Sequence, residues 1–271
     1  MFKTAIIGAS GYTGAELVRL LCNHNYFSIN YLSAERKYDT NISDIYPHLE
    51  CFKFPNFVKF NDLDFKDLDL IFCCLPHSHG QSFIKKIPKN IKIIDLSADF
   101  RFSNVEVYQK WYGKEHLAKD LQKEAVYGLT EIYRKEIIES RLIAGTGCNA
   151  ACGLYPLIPL LMGNTISQKD IKIYLSTGVS GAGRSPKQEI LHSEVSEGFS
   201  AYNVNNHRHL AEFDQELSKA AGKKVNVSFI PHIIPQNRGI LATICVKGKA
   251  EKVYETINKF YINEKFIKVL P

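Results

Sequence analysis

The chain has 271 residues, 45% of them hydrophobic, which is enough to bury one large core or two smaller ones. Its 34 basic and 28 acidic residues give a net charge of +6 without a clustered basic stripe, which argues against nucleic-acid binding. It contains no apolar run of about eighteen residues and no secretory signal pattern, so we expect neither membrane insertion nor secretion. Seven irregularly spaced cysteines predict free thiols in a reducing, cytoplasmic compartment.

The N-terminal segment predicts a nucleotide-binding turn. Residues 3–7 form a short apolar run, GASGYTG follows, and AELVRLLCNH then carries apolar residues at helical spacing. In a strand, glycine turn and helix of this kind, the glycines let the backbone approach a pyrophosphate, and the helix N-terminus supplies N–H groups. The pattern G-x-x-G-x-x-G differs from the commoner G-x-G-x-x-G, so the prediction rests on its position between a strand and a helix. The predicted cofactor contacts are Gly8, Ser10, Gly11, Tyr12, Thr13 and Gly14.

The end of the next strand predicts which dinucleotide binds. The strand SINYLS ends near Ser33, where an acidic residue would hold a ribose 2′-hydroxyl. Ser33, Arg36 and Lys37 instead suit a 2′-phosphate, which favours NADP over NAD. Glu35 stands among them, and a solvated loop is the alternative interpretation.

Two further apolar runs, DLIFCCLP and IKIIDLSADF, continue a β-α-β rhythm and predict a parallel sheet. Ligands bind beyond the carboxyl ends of such strands, where His77 and His79 are placed to border the cofactor. This histidine pair has no nearby third ligand, so we expect no metal site. Cys73 and Cys74 are interpreted as small packing residues of a buried strand.

The second half of the chain has a different rhythm. IKIYLSTGVSGAGRSPK is rich in strand-forming residues and ends in a glycine loop, and NNHRHLAEFDQELSKAAG places two histidines before a helix. KVNVSFIPHIIP and RGILATICVKG alternate like antiparallel strands. We therefore predict an α/β chain of two domains, residues 1–147 with a parallel sheet and residues 148–271 with a mixed or antiparallel sheet.

Cys148 stands at this boundary, after the strand RLIAG and at the start of a predicted helix. A helix N-terminus can lower a thiol pKa and favour the thiolate, which is the nucleophilic form. Cys152 lies one turn further along and is interpreted as a packing residue. A disulfide or zinc pair between the two is disfavoured by the reducing compartment and by the lack of further ligands.

Several motifs in order resemble one enzyme family. GASGYTGAELVRLL, LSADFR, LQKEAVYGLTE, the pair Gly147-Cys148, STGVSGAGR, HRHLAEFDQEL and PHIIPQNRGILAT are similar to N-acetyl-gamma-glutamyl-phosphate reductases of arginine biosynthesis, through nearly all of the chain. The resemblance implies a Rossmann-type domain joined to an α+β catalytic and oligomerisation domain. It also implies NADPH as hydride donor, a small acyl-phosphate substrate, a thioester on Cys148 and a homo-oligomer.

The resemblance also implies roles for single residues. The acid/base histidine of the family lies in the motif matched by His207-Arg208-His209, and we place His207 slightly ahead of His209, with His77 next. From their positions beside motif glycines or loop residues, Arg101 and Arg184 are candidates for contacts to the substrate phosphate or carboxylate, although either can equally be a structural ion-pair arginine.

Two departures from the family keep alternatives open. The family has Asn-Pro-Gly-Cys followed by an aromatic residue, whereas this chain has Gly145-Thr146-Gly147-Cys148-Asn149. An asparagine after the cysteine resembles lysine-biosynthesis reductases that act on a carrier-linked aminoadipyl phosphate. Family members also continue for several dozen residues beyond FIKVLP, so a shortened, non-catalytic nucleotide-binding protein is a further alternative. The Tyr-x-x-x-Lys of short-chain dehydrogenases occurs only at Tyr261 and Lys265, which is the wrong place.

Overall fold

A computed structural model describes residues 1–271, which form two compact units. The first unit contains Met1–Gly128 and Tyr133–Thr146, and the second contains Leu129–Ile132 and Gly147–Pro271. The first holds a parallel sheet and the second a mixed sheet, which confirms the predicted fold class. The short segment Leu129–Ile132, predicted within the first domain, lies in the second unit.

Six parallel strands form the sheet of the first unit, in the order β2-β1-β3-β4-β6-β5. Alternate residues of each strand point into two apolar clusters, Ala5 and Ile7 into one and Ile6 into the other. Because both faces of the sheet are buried, its strands read as continuous apolar runs. The elements are β1 (Phe2–Ile7), α1 (Tyr12–Leu21), β2 (Phe27–Ser33), β3 (Leu70–Cys73), α2 (Gly80–Ile84), β4 (Lys92–Asp95), α3 (Val105–Tyr112), α4 (Lys119–Glu124), β5 (Ala125–Gly128), α5 (Arg134–Glu139) and β6 (Leu142–Gly145).

The second unit has a four-stranded sheet in the order β10-β7-β9-β8. Its elements are α6 (Cys148–Met162), β7 (Ile171–Thr177), α7 (His192–Val195), β8 (Ser200–Ala201), α8 (His209–Ala221), β9 (Val227–Ile233), β10 (Ile240–Cys245) and α9 (Ala250–Tyr261). The strands β9 and β10 alternate as predicted but do not pair with each other. β7 lies between them, parallel to β9 and antiparallel to β10. The alternation of apolar residues shows which face of a strand is buried, but it does not show which strand is its neighbour.

Helix α6 carries two internal prolines, and a distant tyrosine compensates for one of them. Pro159 has no N–H, so the carbonyl of Tyr155 lacks its usual donor four residues further along the helix. The hydroxyl of Tyr261, at the end of α9, donates to that carbonyl oxygen at 2.6 Å. Burial raises the pKa of Tyr261, which keeps the hydroxyl protonated as a donor. No helix of either unit has both the length and the apolar character needed to cross a bilayer.

Candidate functional site

The glycine turn between β1 and α1 has two glycines that the protein itself requires and one that it does not. Gly8 has φ +78°, and a Cβ there would lie 2.7 Å from the carbonyl oxygen of Cys74. A Cβ on Gly14 would lie 2.5 Å from the Cα of Ala9. A Cβ on Gly11 would meet nothing closer than 3.5 Å, which is ordinary contact. The bare backbone at Gly11 therefore leaves room for a ligand.

Hydrogen bonds hold this turn in place. The N–H groups of Gly8 and Ala9 both donate to the carbonyl oxygen of Ser33, at 2.9 and 3.0 Å. The hydroxyl of Tyr46 donates to the carbonyl oxygen of Ser10 at 3.1 Å. No side chain caps the start of α1, whose first residues include Tyr12 and Thr13. A helix start of this kind favours an anion, because its backbone N–H groups give it a partial positive charge.

The residues after β2 present positive charge. Ser33 is buried at the end of the strand, and Arg36 and Lys37 are exposed in the short 3-10 turn that follows. The carboxylate of Glu35 accepts a hydrogen bond from the N–H of Phe60 at 3.0 Å. Glu35 therefore has a structural partner, and the two cations beside it face solvent.

A further cation near this strand end had no signal in the sequence. Val58 forms a bridge with Ser33, which brings Lys59 to the end of β2 from a segment 25 residues further along. The Lys59 ammonium lies 4.1 Å from the centre of the Tyr38 ring. Only the pairing of Val58 with Ser33 reveals this neighbour, and that pairing is not readable from local pattern.

The two candidate substrate arginines differ in their surroundings. Arg101 is only 9% exposed, and its Nε donates to the carbonyl oxygen of Gly145 at 2.7 Å, which ties the loop after β4 to the end of β6. Burial raises the pKa of Asp95 to about 6, and the positive charge of Arg101 acts in the opposite direction on that pKa. Arg184 is exposed in the glycine loop after β7 of the other unit. The ring of His77, the third acid/base candidate, lies 5.2 Å from the Tyr112 ring between centroids, at an interplanar angle of 55°.

Cys148 is the first residue of α6 and is exposed. No acidic residue occupies the first turn of this helix, so its N–H groups and partial positive charge can stabilise an anion on the sulfur. The thiol donates to Oδ1 of Asn149 at 3.6 Å. Burial and the charge of Cys148 raise the pKa of Cys152, which keeps that second thiol protonated. These features suit a nucleophile at Cys148 and a packing role at Cys152.

A buried carboxylate fixes the residue before the cysteine. Glu212 of α8 is fully buried, and its Oε2 accepts from the N–H of Gly147 at 3.0 Å. Its Oε1 lies 3.8 Å from Nε2 of His209. A Cβ on Gly147 would lie 2.5 Å from that same nitrogen, so this position must be glycine for the imidazole to pack against it. His209 and Glu212 thus hold the backbone at the start of α6.

His207 connects to the cysteine by a different route. Its Nδ1 accepts from the backbone N–H of His209 at 3.1 Å, so the hydrogen of the neutral ring is on Nε2. That Nε2 lies 3.4 Å from the hydroxyl of Tyr202, which also accepts from Nδ2 of Asn149 at 3.3 Å. Burial, with the charge of His209 adding to it, lowers the pKa of His207 to about 4. His207 is therefore a neutral hydrogen-bond donor near neutral pH.

The structure brings Cys148, His207 and His209 together within the second unit and adds two residues that the sequence analysis missed, Glu212 and Tyr202. Glu212 had a readable signal, since it follows His209 by one helical turn in an otherwise amphipathic helix. Tyr202 had none, because it comes from the irregular segment after β8 and reaches the site only through the fold.

Two family models match the chain. The model described as semialdehyde dehydrogenase, NAD binding domain, matches residues 3–140. The model described as semialdehyde dehydrogenase, dimerisation domain, matches residues 148–271. Each model thus falls on one of the two sheets.

Curated relatives are similar over almost the whole chain. The N-acetyl-gamma-glutamyl-phosphate reductase of Rhodobacter capsulatus is 50% identical over 270 residues, which are 99% of this chain and 79% of the relative. The protein of the same name from Ruegeria pomeroyi is 52% identical over 270 residues, with the same coverage of 99% and 79%. The resemblance predicted from the motifs is therefore confirmed.

Solved structures share the fold at low identity. Aspartate semialdehyde dehydrogenase II of Vibrio cholerae has a TM-score of 0.68 at 13% identity, covering 99% of this chain and 80% of that one. The aspartate semialdehyde dehydrogenase of Candida albicans, solved with NADP, has a TM-score of 0.66 at 15% identity, covering 94% and 75%. At these identities the likeness concerns the fold alone.

Proposed function

Because the chain belongs to the family of N-acetyl-gamma-glutamyl-phosphate reductases, we propose that it reduces N-acetyl-gamma-glutamyl phosphate to N-acetyl-glutamate semialdehyde and phosphate in arginine biosynthesis. The observation that carries the proposal is Cys148, an exposed thiol at the uncapped start of a long helix, with two histidines held beside that helix end. Acyl transfer to a thiolate needs these features.

The chemistry at Cys148 is a substitution at the acyl carbon. The sulfur adds to that carbon to form a C–S bond, and the carbonyl pair moves onto oxygen. The pair then returns, the bond to the phosphate oxygen breaks, and phosphate leaves with its electrons, so that a thioester remains on Cys148. The N-terminus of α6 stabilises the thiolate before attack.

The two histidines divide the remaining work. His207, neutral with its hydrogen on Nε2, directs that N–H at the hydroxyl of Tyr202 and acts on the acyl site through it. His209 and Glu212 are positioning residues that fix Gly147 and therefore the direction of the Cys148 side chain. This assignment keeps His207 ahead of His209, as a neutral hydrogen-bond donor rather than as a base.

The first unit binds a nicotinamide dinucleotide, and we propose that it is NADP. The residues fit the group, since the turn from Gly8 to Gly14 leaves Gly11 bare for a pyrophosphate. Ser33, Arg36 and Lys37 would hold the 2′-phosphate, with Glu35 engaged by Phe60. When bound, the cofactor supplies the hydride that brings the acyl group to the aldehyde level.

Cofactor choice is tested by replacing one of these cations. Each charge-assisted contact to a 2′-phosphate contributes about 1.5–3 kcal/mol, so Arg36→Ala should reduce the NADPH over NADH ratio in kcat/KM by tenfold or more. Lys223→Ala removes an exposed charge from the other unit and is the matched control. Equal use of both cofactors by the unaltered protein, or an unchanged ratio in Arg36→Ala, would contradict the assignment.

Arg101 and Arg184 are proposed as contacts to the substrate phosphate or carboxylate. The Nε of Arg101 donates to the carbonyl oxygen of Gly145, which holds the guanidinium at the end of β6. Replacing either arginine by glutamine should raise the KM for the acyl phosphate more than it lowers kcat. An unchanged KM would assign that arginine a structural role.

The open face of the second sheet supports a homo-oligomer. Helices cover one face, whereas Leu241 on β10 and Tyr174 on β7 are 70% and 40% exposed on the other, with Phe199 beside them at 64%. Apolar surface of this kind marks an interface between subunits. Leu241→Asp should lower the mass measured by light scattering to that of one chain. The free thiols, including the nucleophile, suit a reducing cytoplasm.

The activity itself is tested with purified protein, NADPH and chemically made N-acetyl-gamma-glutamyl phosphate, by following NADPH absorbance. We expect turnover with release of one phosphate for each NADPH oxidised. Carrier-linked aminoadipyl phosphate is the matched alternative, since Asn149 follows the cysteine. Turnover with that substrate alone would reassign the enzyme to lysine biosynthesis, and turnover with neither would leave a nucleotide-binding protein.

A further inference from the structure

The hydroxyl of Tyr202 has an unusual set of neighbours. Tyr202 follows β8 and is half-buried beside the start of α6. Its oxygen lies 3.3 Å from Nδ2 of Asn149 and 3.4 Å from Nε2 of His207. Both neighbours are fixed by other hydrogen bonds. Oδ1 of Asn149 accepts from the Cys148 thiol, and Nδ1 of His207 accepts from the backbone N–H of His209.

The donors and acceptors at this oxygen can be counted. A phenol oxygen has two acceptor sites and one hydrogen. The Asn149 amide presents its NH₂ group, since its carbonyl oxygen accepts from the thiol, and His207 presents its N–H, since its other nitrogen accepts from the backbone. Two donors therefore fill the acceptor sites, and the Tyr202 hydrogen is left to donate to a third group.

The Tyr202 hydroxyl is linked to the reactive sulfur through one side chain. Burial raises the pKa of Tyr202, and the charge of Cys148 raises it further, so the phenol stays protonated. Asn149, which is 2% exposed and adjacent to Cys148 in sequence, connects the two side chains. The hydroxyl hydrogen thus belongs to a residue that is joined to the reactive sulfur through Asn149 alone.

We propose that Tyr202 is a catalytic residue that donates a hydrogen bond to the oxyanion formed when Cys148 attacks the acyl carbon, with Asn149 and His207 fixing the direction of its hydroxyl. The inference rests on the proposed acyl-phosphate chemistry. In the step concerned, the C–S bond forms, the carbonyl π pair moves onto oxygen, and the Tyr202 proton stays on Tyr202 as a hydrogen bond to that oxygen. Losing one oxyanion donor lowers kcat by about 10²–10³-fold.

The test compares Tyr202→Phe with Tyr254→Phe in the full chain. Both variants lose one phenol oxygen, but Tyr254 is 42% exposed on α9, away from Asn149 and His207. We expect Tyr202→Phe to lower kcat by about 10²-fold or more, with the KM for the acyl phosphate and the NADPH Kd little changed. The rate at which iodoacetamide alkylates Cys148 at fixed pH should be unchanged, because the donor serves the oxyanion. Tyr254→Phe should behave like the unaltered protein.

A second measurement separates donation from shape. Fluorotyrosine at position 202 keeps the ring and hydroxyl but makes the phenol a stronger donor, so kcat should change with the degree of fluorination. A purely structural role would leave kcat constant along this series. Asn149→Leu, which frees the hydroxyl to rotate, should lower kcat less than Tyr202→Phe does.

The outcomes distinguish this inference from the function on which it rests. If the unaltered protein does not turn over, both fall together. If it turns over and Tyr202→Phe is equally active, only this inference is overturned. A fall in the alkylation rate that matches the fall in kcat would also overturn it, because the hydroxyl would then serve the thiolate.

Discussion

The two candidate sites are built in opposite ways. The cofactor turn of the first unit comes from seven consecutive residues, Gly8 to Gly14, and depends on side chains that are missing. The cysteine site of the second unit depends on side chains that are present, and its bonds join residues 53 and 65 positions apart in sequence. A site of the first kind is damaged by adding an atom, and one of the second kind by removing an atom.

The largest expected effect falls on the second site alone. Cys148→Ser should abolish turnover while the NADPH Kd stays within about twofold of the unaltered value, because a hydroxyl is a far poorer nucleophile and the cofactor turn is not touched. Kinetics and fluorescence titration check the two halves of this statement. Cys152→Ser, one helical turn away, is the control and should retain its rate. Persisting activity in Cys148→Ser would refute covalent catalysis.

The next effect separates the two histidines. His207→Asn should lower kcat by about 10²–10³-fold, since the Tyr202 hydroxyl loses the N–H that orients it toward the oxyanion. His209→Asn should lower kcat less and reduce the melting temperature, since it removes the group that packs on Gly147 beside Glu212. Steady-state kinetics and thermal unfolding of both variants decide the division of roles. A larger loss of rate in His209→Asn would reverse it.

The pH dependence of stability should report the buried imidazole. The pKa of His207 is about 4 in the folded protein, below the value near 6.5 of an unfolded chain, so the unfolded state binds more protons between these values. The stability is complete above about pH 6.5 and falls by up to about 3 kcal/mol as the pH drops to 4. Urea unfolding of the protein and of His207→Gln across this range measures the difference. Parallel curves would mean that His207 titrates normally.

The smallest effects belong to the glycine turn and differ among its members. Gly8→Ala and Gly14→Ala should lower the free energy of unfolding by about 1–3 kcal/mol, because the added Cβ meets backbone atoms. Gly11→Ala should leave the free energy of unfolding nearly unchanged and raise the NADPH Kd, because only the ligand needs the bare backbone there. Chemical unfolding and titration of all three variants test this. Unchanged binding in Gly11→Ala would move the pyrophosphate elsewhere.

Sequence reasoning was most successful where structure follows from neighbours along the chain. The strand, turn and helix around Gly8 were predictable because apolar period and glycine spacing act within about fifteen residues. The start of α6 at Cys148 was predictable for the same reason. The neighbour of β9 was not, because strand pairing across the second sheet depends on contacts between distant segments.

The geometry of the cysteine site illustrates this limit. The sequence identified both histidines as candidates but did not show which imidazole faces the sulfur. The direction of each side chain depends on neighbours that are distant in sequence. The distinction comes from Glu212 beneath His209 and from Tyr202 against His207. Tyr202 lies in an irregular segment, where no repeating pattern of apolar residues predicts where its side chain points.

The proline in α6 has a consequence for how this protein can vary. Pro159 leaves the Tyr155 carbonyl to be satisfied by Tyr261, so two positions 102 apart in sequence act as one unit. A chain with a backbone N–H at position 159 can supply that donor from within the helix, whereas a chain that keeps the proline and loses the phenol gives up the hydrogen bond from Tyr261. Substitutions at positions 159 and 261 should therefore occur together during evolution, because losing the proline at 159 removes the requirement for the phenol at 261.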